Sequence, residues 1–105
     1  MPDHMPVISE HLLSYLRKTS IRETEVQMQL RRATDTLPES GWEVAPEQAQ
    51  FLALLVQAID AKLILELGTF TGHSALAMAS ALPPTGKLVT CDMEITYTSI
   101  AEAHW

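Results

Sequence analysis

The chain has 105 residues, 7 basic and 13 acidic side chains, a formal net charge of −6, and 47% hydrophobic against 19% charged residues. That length suits one small domain or part of a larger one, the composition excludes a disordered chain, and the negative balance argues against non-specific binding to nucleic acid or an anionic membrane. A lone cysteine, Cys91, excludes a disulfide scaffold and fits a reducing, cytoplasmic setting; the longest apolar stretch, Phe51–Ile59, falls short of a bilayer span, and residues 1–10 carry no secretory signal.

Ile8, Leu12, Leu13 and Leu16 recur at helical spacing, with Ser9 as N-cap before Glu10. A second helical stretch, Ile21–Arg32, is predicted to restart at Thr19 or Ser20 and carries Val26, Met28 and Leu30. Arg17, Lys18, Arg31 and Arg32 lie near the ends of these stretches and read as solvated charges that suit a helix C-terminus. Thr34–Ala45 is a connector holding Pro38, Ser40 and Gly41. Pro46 suits a first helical turn, Glu47 adds charge of the right sign, and Ala45 is a poor cap. The helix that follows, Gln48–Ile59, is predicted to bury Phe51, Leu52, Leu55, Val56 and Ile59 on one face.

From Lys62 the pattern changes. Leu63-Ile64-Leu65 reads as a short strand buried on both faces, followed by Gly68 and Gly72 and a helix from Ser74 to Leu82. Pro83-Pro84-Thr85-Gly86 forces a turn into a second strand, Leu88–Cys91, which ends at Asp92. The tail from Ile95 to Trp105 is a further helix, with Thr96 as its expected cap. Strand, helix, strand at this spacing is a parallel βαβ unit, so the fold class is α/β.

Ligands of an open parallel sheet bind beyond the carboxyl ends of its strands. Here the first strand runs into Glu66-Leu67-Gly68-Thr69-Phe70-Thr71-Gly72-His73-Ser74. Gly68 allows a sharp turn that brings bare peptide against a ligand, and Gly72 opens the next helix without a Cβ. The helix N-terminus offers N–H groups to a carboxylate or phosphate, and Ser74 adds a hydroxyl. Asp92, 26 positions after Glu66, can accept the ribose hydroxyls of a nucleoside. Phe70 breaks the G-x-G-x-x-G spacing, which disfavours NAD and leaves a nucleoside bearing a carboxylate. Each residue also has an ordinary structural reading: Glu66 as a cap or ion-pair residue, Asp92 as the N-cap of the tail helix, the glycines as turn punctuation.

Val44-Ala-Pro-Glu-Gln-Ala-Gln-Phe51, Leu65-Glu-Leu-Gly-Thr-Phe-Thr-Gly-His-Ser-Ala-Leu-Ala-Met78, Leu82-Pro-Pro-Thr-Gly86 and Val89-Thr-Cys-Asp92 together resemble the S-adenosylmethionine (SAM)-dependent O-methyltransferases that include catechol and caffeoyl-CoA O-methyltransferases. The likeness runs from about Trp42 to Trp105. It implies a Rossmann-like class I methyltransferase fold, cut to N-terminal helices and a first βαβ unit. In domain terms, residues 1–41 would be a helical arm and 42–105 the N-terminal half of a SAM-binding domain. Carried over from the family, Val44 would meet the methionine portion of SAM, and Glu66, Gly68, Thr69 and Gly72 would form the cofactor loop. Ser74 would hold the methionine carboxylate, Asp92 the ribose and Met93 the adenine. His73 stands where the family often has tyrosine, and Trp42 where it often has methionine near the reacting methyl.

The resemblance further implies a small catechol-like or phenolic hydroxyl acceptor. It also implies a divalent, magnesium-type metal held by Asp and Asp-Asn residues that this chain does not contain. His4, His11, His73 and His104 are scattered without metal-ligand spacing. The expected chain is therefore a shortened methyltransferase that exposes strand edges and apolar helix faces and holds cofactor weakly alone. Two other readings stand beside it: a nucleoside-binding piece without catalysis, and an interaction module or homodimer built on the N-terminal helices.

Overall fold

The structure, a computed structural model, describes residues 7–105; His4 and most of the N-terminal stretch read for a leader lie outside the described residues. Helix α1 spans Glu10–Ser20, and the Ser9 hydroxyl caps it by accepting from the Leu12 N–H at 3.2 Å, as expected. Helix α2 does not begin at Ile21. Residues 21–24 are non-helical, and α2 spans Glu25–Asp35 behind a reciprocal capping box. The Thr24 hydroxyl accepts from the Gln27 N–H (3.2 Å) while the Gln27 side chain accepts from the Thr24 N–H (2.8 Å). Two otherwise unpaired donors are satisfied at once, which fixes the start more firmly than Thr19 or Ser20 could. Leu30 and Thr34 are the buried residues of α2, which packs against later helices, whereas α1 buries none of its side chains.

A single 3₁₀ turn, Ser40–Trp42, interrupts the connector before helix α3, Pro46–Ala58, which has Pro46 in its first turn and no side-chain cap. Strand β1 is Leu63–Leu67, helix α4 His73–Ala81, strand β2 Lys87–Cys91 and helix α5 Ile95–His104. Glu94, not Thr96, caps α5, because its carboxylate accepts from the Thr96 N–H at 3.1 Å. The two strands are parallel neighbours in register from Leu63 opposite Lys87 to Leu67 opposite Cys91. Helix α3 packs on α4, and α4 lies against β2. Ala49, Val56, Ala75, Ala77 and Met78 are the buried apolar residues of this layer, and their mostly small side chains let the helices approach closely.

The other side of the sheet is open. Side chains alternate along a strand, so Ile64 and Glu66 turn inward while Leu63, Leu65 and Leu67 remain 72%, 67% and 80% exposed. The expectation of a strand buried on both faces is thus corrected: only one layer of helices covers the described sheet. Helix α3 shows the same imbalance. It is apolar around most of its circumference, and α4 takes only one side; Val56 is buried, but Phe51, Leu55 and Ile59 are exposed and Leu52 is half-buried. Each large side chain left in water forgoes roughly 1.5–3 kcal/mol of burial.

Candidate functional site

The loop joining β1 to α4 turns at two glycines with distinct tasks. Gly68 has φ +94° and donates its N–H to the Cys91 carbonyl (2.8 Å), so the turn is clamped to the end of β2. A Cβ at Gly68 would meet nothing within 4 Å, leaving open space above the peptide. Gly72 has φ +84°, and a Cβ there would lie 2.7 Å from both the Ala101 Cβ and the Trp105 ring. Glycine at 72 therefore lets α5 and Trp105 close over the start of α4, and the Trp105 indole N–H donates to the Gly72 carbonyl at 3.3 Å. Phe70, with φ +52°, holds a left-handed conformation that side chains seldom adopt, a cost that surrounding bonds must offset. Gly72 is also the N-cap of α4 and brings no side chain, so the first-turn amides of that helix lack a capping partner.

Below the loop runs a chain of bonds. Glu66 accepts from the Ser74 hydroxyl (2.6 Å) with one oxygen and from the Thr90 hydroxyl (2.9 Å) with the other. With its proton given to Glu66, Thr90 accepts from the Thr69 hydroxyl at 2.7 Å. Ser74 likewise presents lone pairs rather than a proton, and it can donate to a ligand carboxylate only by turning away from Glu66.

Asp92 closes the other side. One of its oxygens accepts from the Thr69 and Phe70 N–H groups (2.9 Å each), the other from the Glu94 N–H (3.0 Å). These backbone bonds, that of Phe70 first and Glu94 next, hold its carboxyl below the usual range, so Asp92 is ionised at neutral pH. A carboxylate has about four acceptor positions, so about one is left for an incoming hydroxyl. Asp92 is not the N-cap of α5, that place being taken by Glu94.

Trp42, Glu43 and Val44, from the segment before α3, face the loop across a hollow of about 90 Å³ that Gly68, Thr69, Gly72 and Ser74 also line. Glu66 and Asp92 lie outside its lining but bond directly to Ser74 and Thr69. Met93 is fully exposed beside Asp92. Trp42, Phe70 and Tyr97 form an aromatic wall, with ring centroids 4.8 Å apart for Phe70–Tyr97 and 5.8 Å for Trp42–Phe70.

A second polar cluster adjoins the hollow, and its members escaped the sequence reading or were read otherwise. The Arg31 guanidinium donates to Glu23 (2.7 and 3.0 Å) and to Glu43 (3.0 Å), and it touches the His73 ring. Arg31 is thus not a solvated helix-end charge, whereas Arg17 is, lying exposed in the last turn of α1 and pairing at the surface with Glu47 through two bonds of 2.9 and 3.0 Å. Burial pushes the Glu43 carboxyl up to about 7 even beside Arg31. Burial outweighs the Arg31 charge, the Asp35 and Glu23 carboxylates push the same way as burial, and Glu43 Oε1 has no partner among the described residues. His73, 3% exposed, is held below its ordinary value by burial and then by Arg31. It is a neutral, packed ring at pH 7. The available signal was the Arg31/Thr34 pair at helical spacing; Glu23, Glu43 and His73 are 8, 12 and 42 positions from Arg31 and share no local pattern with it.

A strand, a glycine turn, an uncapped helix and an acid at the end of the neighbouring parallel strand define the opening unit of a Rossmann-like class I methyltransferase. Comparison with known proteins agrees. The O-methyltransferase family model matches residues 17–105. The chain is 41% identical over 101 residues to the catechol O-methyltransferase domain-containing protein 1 of Mus musculus, covering 96% of this chain and 38% of the relative. It is 39% identical over 87 residues to the caffeoyl-CoA O-methyltransferase 1 of Nicotiana tabacum, covering 81% and 36%. Among solved structures, the O-methyltransferase TomG of Streptomyces achromogenes, in complex with SAM, superposes with a TM-score of 0.76 at 32% identity, covering 87% of this chain and 41% of that one. The chain belongs to the O-methyltransferase family, and it spans less than two fifths of the length of these curated relatives.

No described helix is long and apolar enough to cross a membrane. Among the described residues no three His, Cys, Asp or Glu side chains converge where a metal ion could sit, so these residues do not by themselves form the divalent-metal centre the family resemblance implies.

Proposed function

We propose that this chain carries the SAM-binding surface of an enzyme that methylates a hydroxyl of a small catechol-like or phenolic acceptor. The observation that carries the reading is the continuous chain of bonds Ser74–Glu66–Thr90–Thr69–Asp92, which links the start of α4 to the carboxyl ends of both strands. The donors and acceptors present suit SAM. The uncapped first turn of α4 and the Ser74 hydroxyl would take the methionine carboxylate, and Glu66 would draw the amino group. Gly68 and Thr69 offer open backbone to the ligand, and Val44 closes the hollow from the opposite side. Gly72 contributes by setting the α4 terminus rather than by yielding space to the ligand. Asp92 would accept one ribose hydroxyl at its free position and the second by displacing an amide of its own loop, with exposed Met93 covering the adenine. Bound SAM would supply an electrophilic methyl on a sulfonium. The wall of Trp42, Phe70 and Tyr97 would keep water from that side of it.

A cytoplasmic setting is part of the proposal, supported by the single exposed thiol of Cys91. The lack of a metal-holding cluster among the described residues favours, for this chain taken alone, holding the nucleoside without transferring the methyl. Calorimetric titration with S-adenosylhomocysteine tests the site. Binding with a Kd on the order of 0.1 mM is expected, because Asp92 must exchange loop bonds for ribose bonds. No heat at several millimolar ligand, with no NMR shift of residues 68–74, would overturn the reading. Methyl transfer to a catechol with and without magnesium then separates an enzyme from a binding chain.

A further inference from the structure

We propose that Arg31 and Thr34 are positioning residues for the SAM site, one turn of α2 acting as the template on which the loop before α4 and the segment before α3 are set. The inference rests on the reading of that loop given above. Positions 31 and 34 are neighbours on one helix face. Arg31 donates to Glu23 ahead of α2, to the Glu43 carboxylate (3.0 Å) and the Val44 carbonyl (3.4 Å) ahead of α3, and it meets the His73 ring at the start of α4. The Thr34 hydroxyl donates to the Leu30 carbonyl (2.8 Å); its one proton being committed, it accepts from the Thr71 hydroxyl, also at 2.8 Å. Both threonines are fully buried. Two adjacent α2 side chains thus grip Thr71 and His73 on one rim of the hollow and Glu43 and Val44 on the other.

Neither residue lines the hollow, so each acts through those it holds. The planar guanidinium suits this task, because one rigid group with five donors reaches several segments, which an ammonium on a flexible stem cannot reproduce. Little duplicates its hold: Glu23 also approaches the His73 ring at 3.3 Å, but Glu43 Oε1 and His73 Nδ1 are buried and have no partner among the described residues. A charge placed only to suit the helix C-terminus would need none of these contacts.

The test compares Arg31→Met, Arg31→Lys and Thr34→Val in the 105-residue chain. The readouts are S-adenosylhomocysteine affinity, amide hydrogen exchange and the NMR titration of the His73 ring. Arg31→Met should speed exchange about tenfold at residues 43–45 and 71–74 while sparing β1 and β2, and weaken binding about tenfold. It should also raise the His73 titration, since the repelling charge facing the ring from α2 is gone while Glu23, from the segment before α2, remains beside it at 3.3 Å. Arg31→Lys should restore the ring titration but not the affinity. Thr34→Val keeps the side-chain shape, and should weaken binding by roughly threefold to tenfold and speed exchange at 71–74; it decides the matter if Arg31→Met does not fold. Unaltered affinity and exchange in the variants, with the parent chain binding, would overturn this inference alone. A parent chain that binds no S-adenosylhomocysteine would overturn the reading of the site and the inference with it.

Discussion

Gly68 and Gly72 share a backbone conformation but not a surrounding, and replacing each by alanine separates the two effects. An L-residue in the left-handed region costs roughly 1–2 kcal/mol, which both variants incur. For Gly68→Ala that is the whole expected loss, since the new methyl meets nothing within 4 Å. For Gly72→Ala the methyl arrives 2.7 Å from the Ala101 Cβ and the Trp105 ring, well inside contact distance. Overpacking of this kind adds roughly 1–3 kcal/mol, giving a total of about 2–5 kcal/mol. Domains of this size are stable by roughly 5–15 kcal/mol, so Gly72→Ala should lower the urea midpoint, followed by far-UV circular dichroism, far more than Gly68→Ala. The order should reverse for ligand: Gly68→Ala places its methyl where S-adenosylhomocysteine would approach and should weaken binding more per unit of stability lost. Equal urea midpoints for the two variants would refute the reasoning.

Glu43 has a carboxyl raised from 4.5 to about 7 in the fold, so its contribution is full below pH 4.5 and is lost as pH rises through 7. Glu43→Gln removes that dependence. Discounted for partial solvent screening, the variant should gain about 1–2 kcal/mol on the parent chain between pH 5 and pH 8 in urea titrations, and a constant difference would contradict the burial argument. Asp92→Ala should both weaken S-adenosylhomocysteine binding and speed amide exchange at Thr69 and Phe70, because the same carboxylate serves both. A loss of affinity without faster exchange would show that the loop holds itself.

The parallel strand–helix–strand unit was legible because its signals are local: an apolar run of strand length, two glycines, an alanine-rich helix, a Pro-Pro turn and an acid after the second strand. Ser9 and Pro46 likewise announced helix starts. Thr24-x-x-Gln27 was equally local, but the weak periodicity of Val26, Met28 and Leu30 drew the start of α2 too early. Burial was harder. Leu63-Ile64-Leu65 carries the composition of a strand covered on both sides, yet composition does not say which layers are supplied. At the site, Glu66, Ser74 and Asp92 could be named from position, but not that Asp92 commits most of its acceptor capacity to its own loop. The Arg31 cluster was illegible for a different reason: its partners are recruited from three segments, and only tertiary packing decides that they meet.

The uncovered stripe of Leu63, Leu65 and Leu67, beside strand edges left unpaired among the described residues, has a consequence for handling these 105 residues by themselves in solution. Such a surface is what holdase chaperones grip and what seeds clumping at high local concentration. The usable concentration of these 105 residues would then be set by a race between self-association and whatever protein surface shields those leucines first.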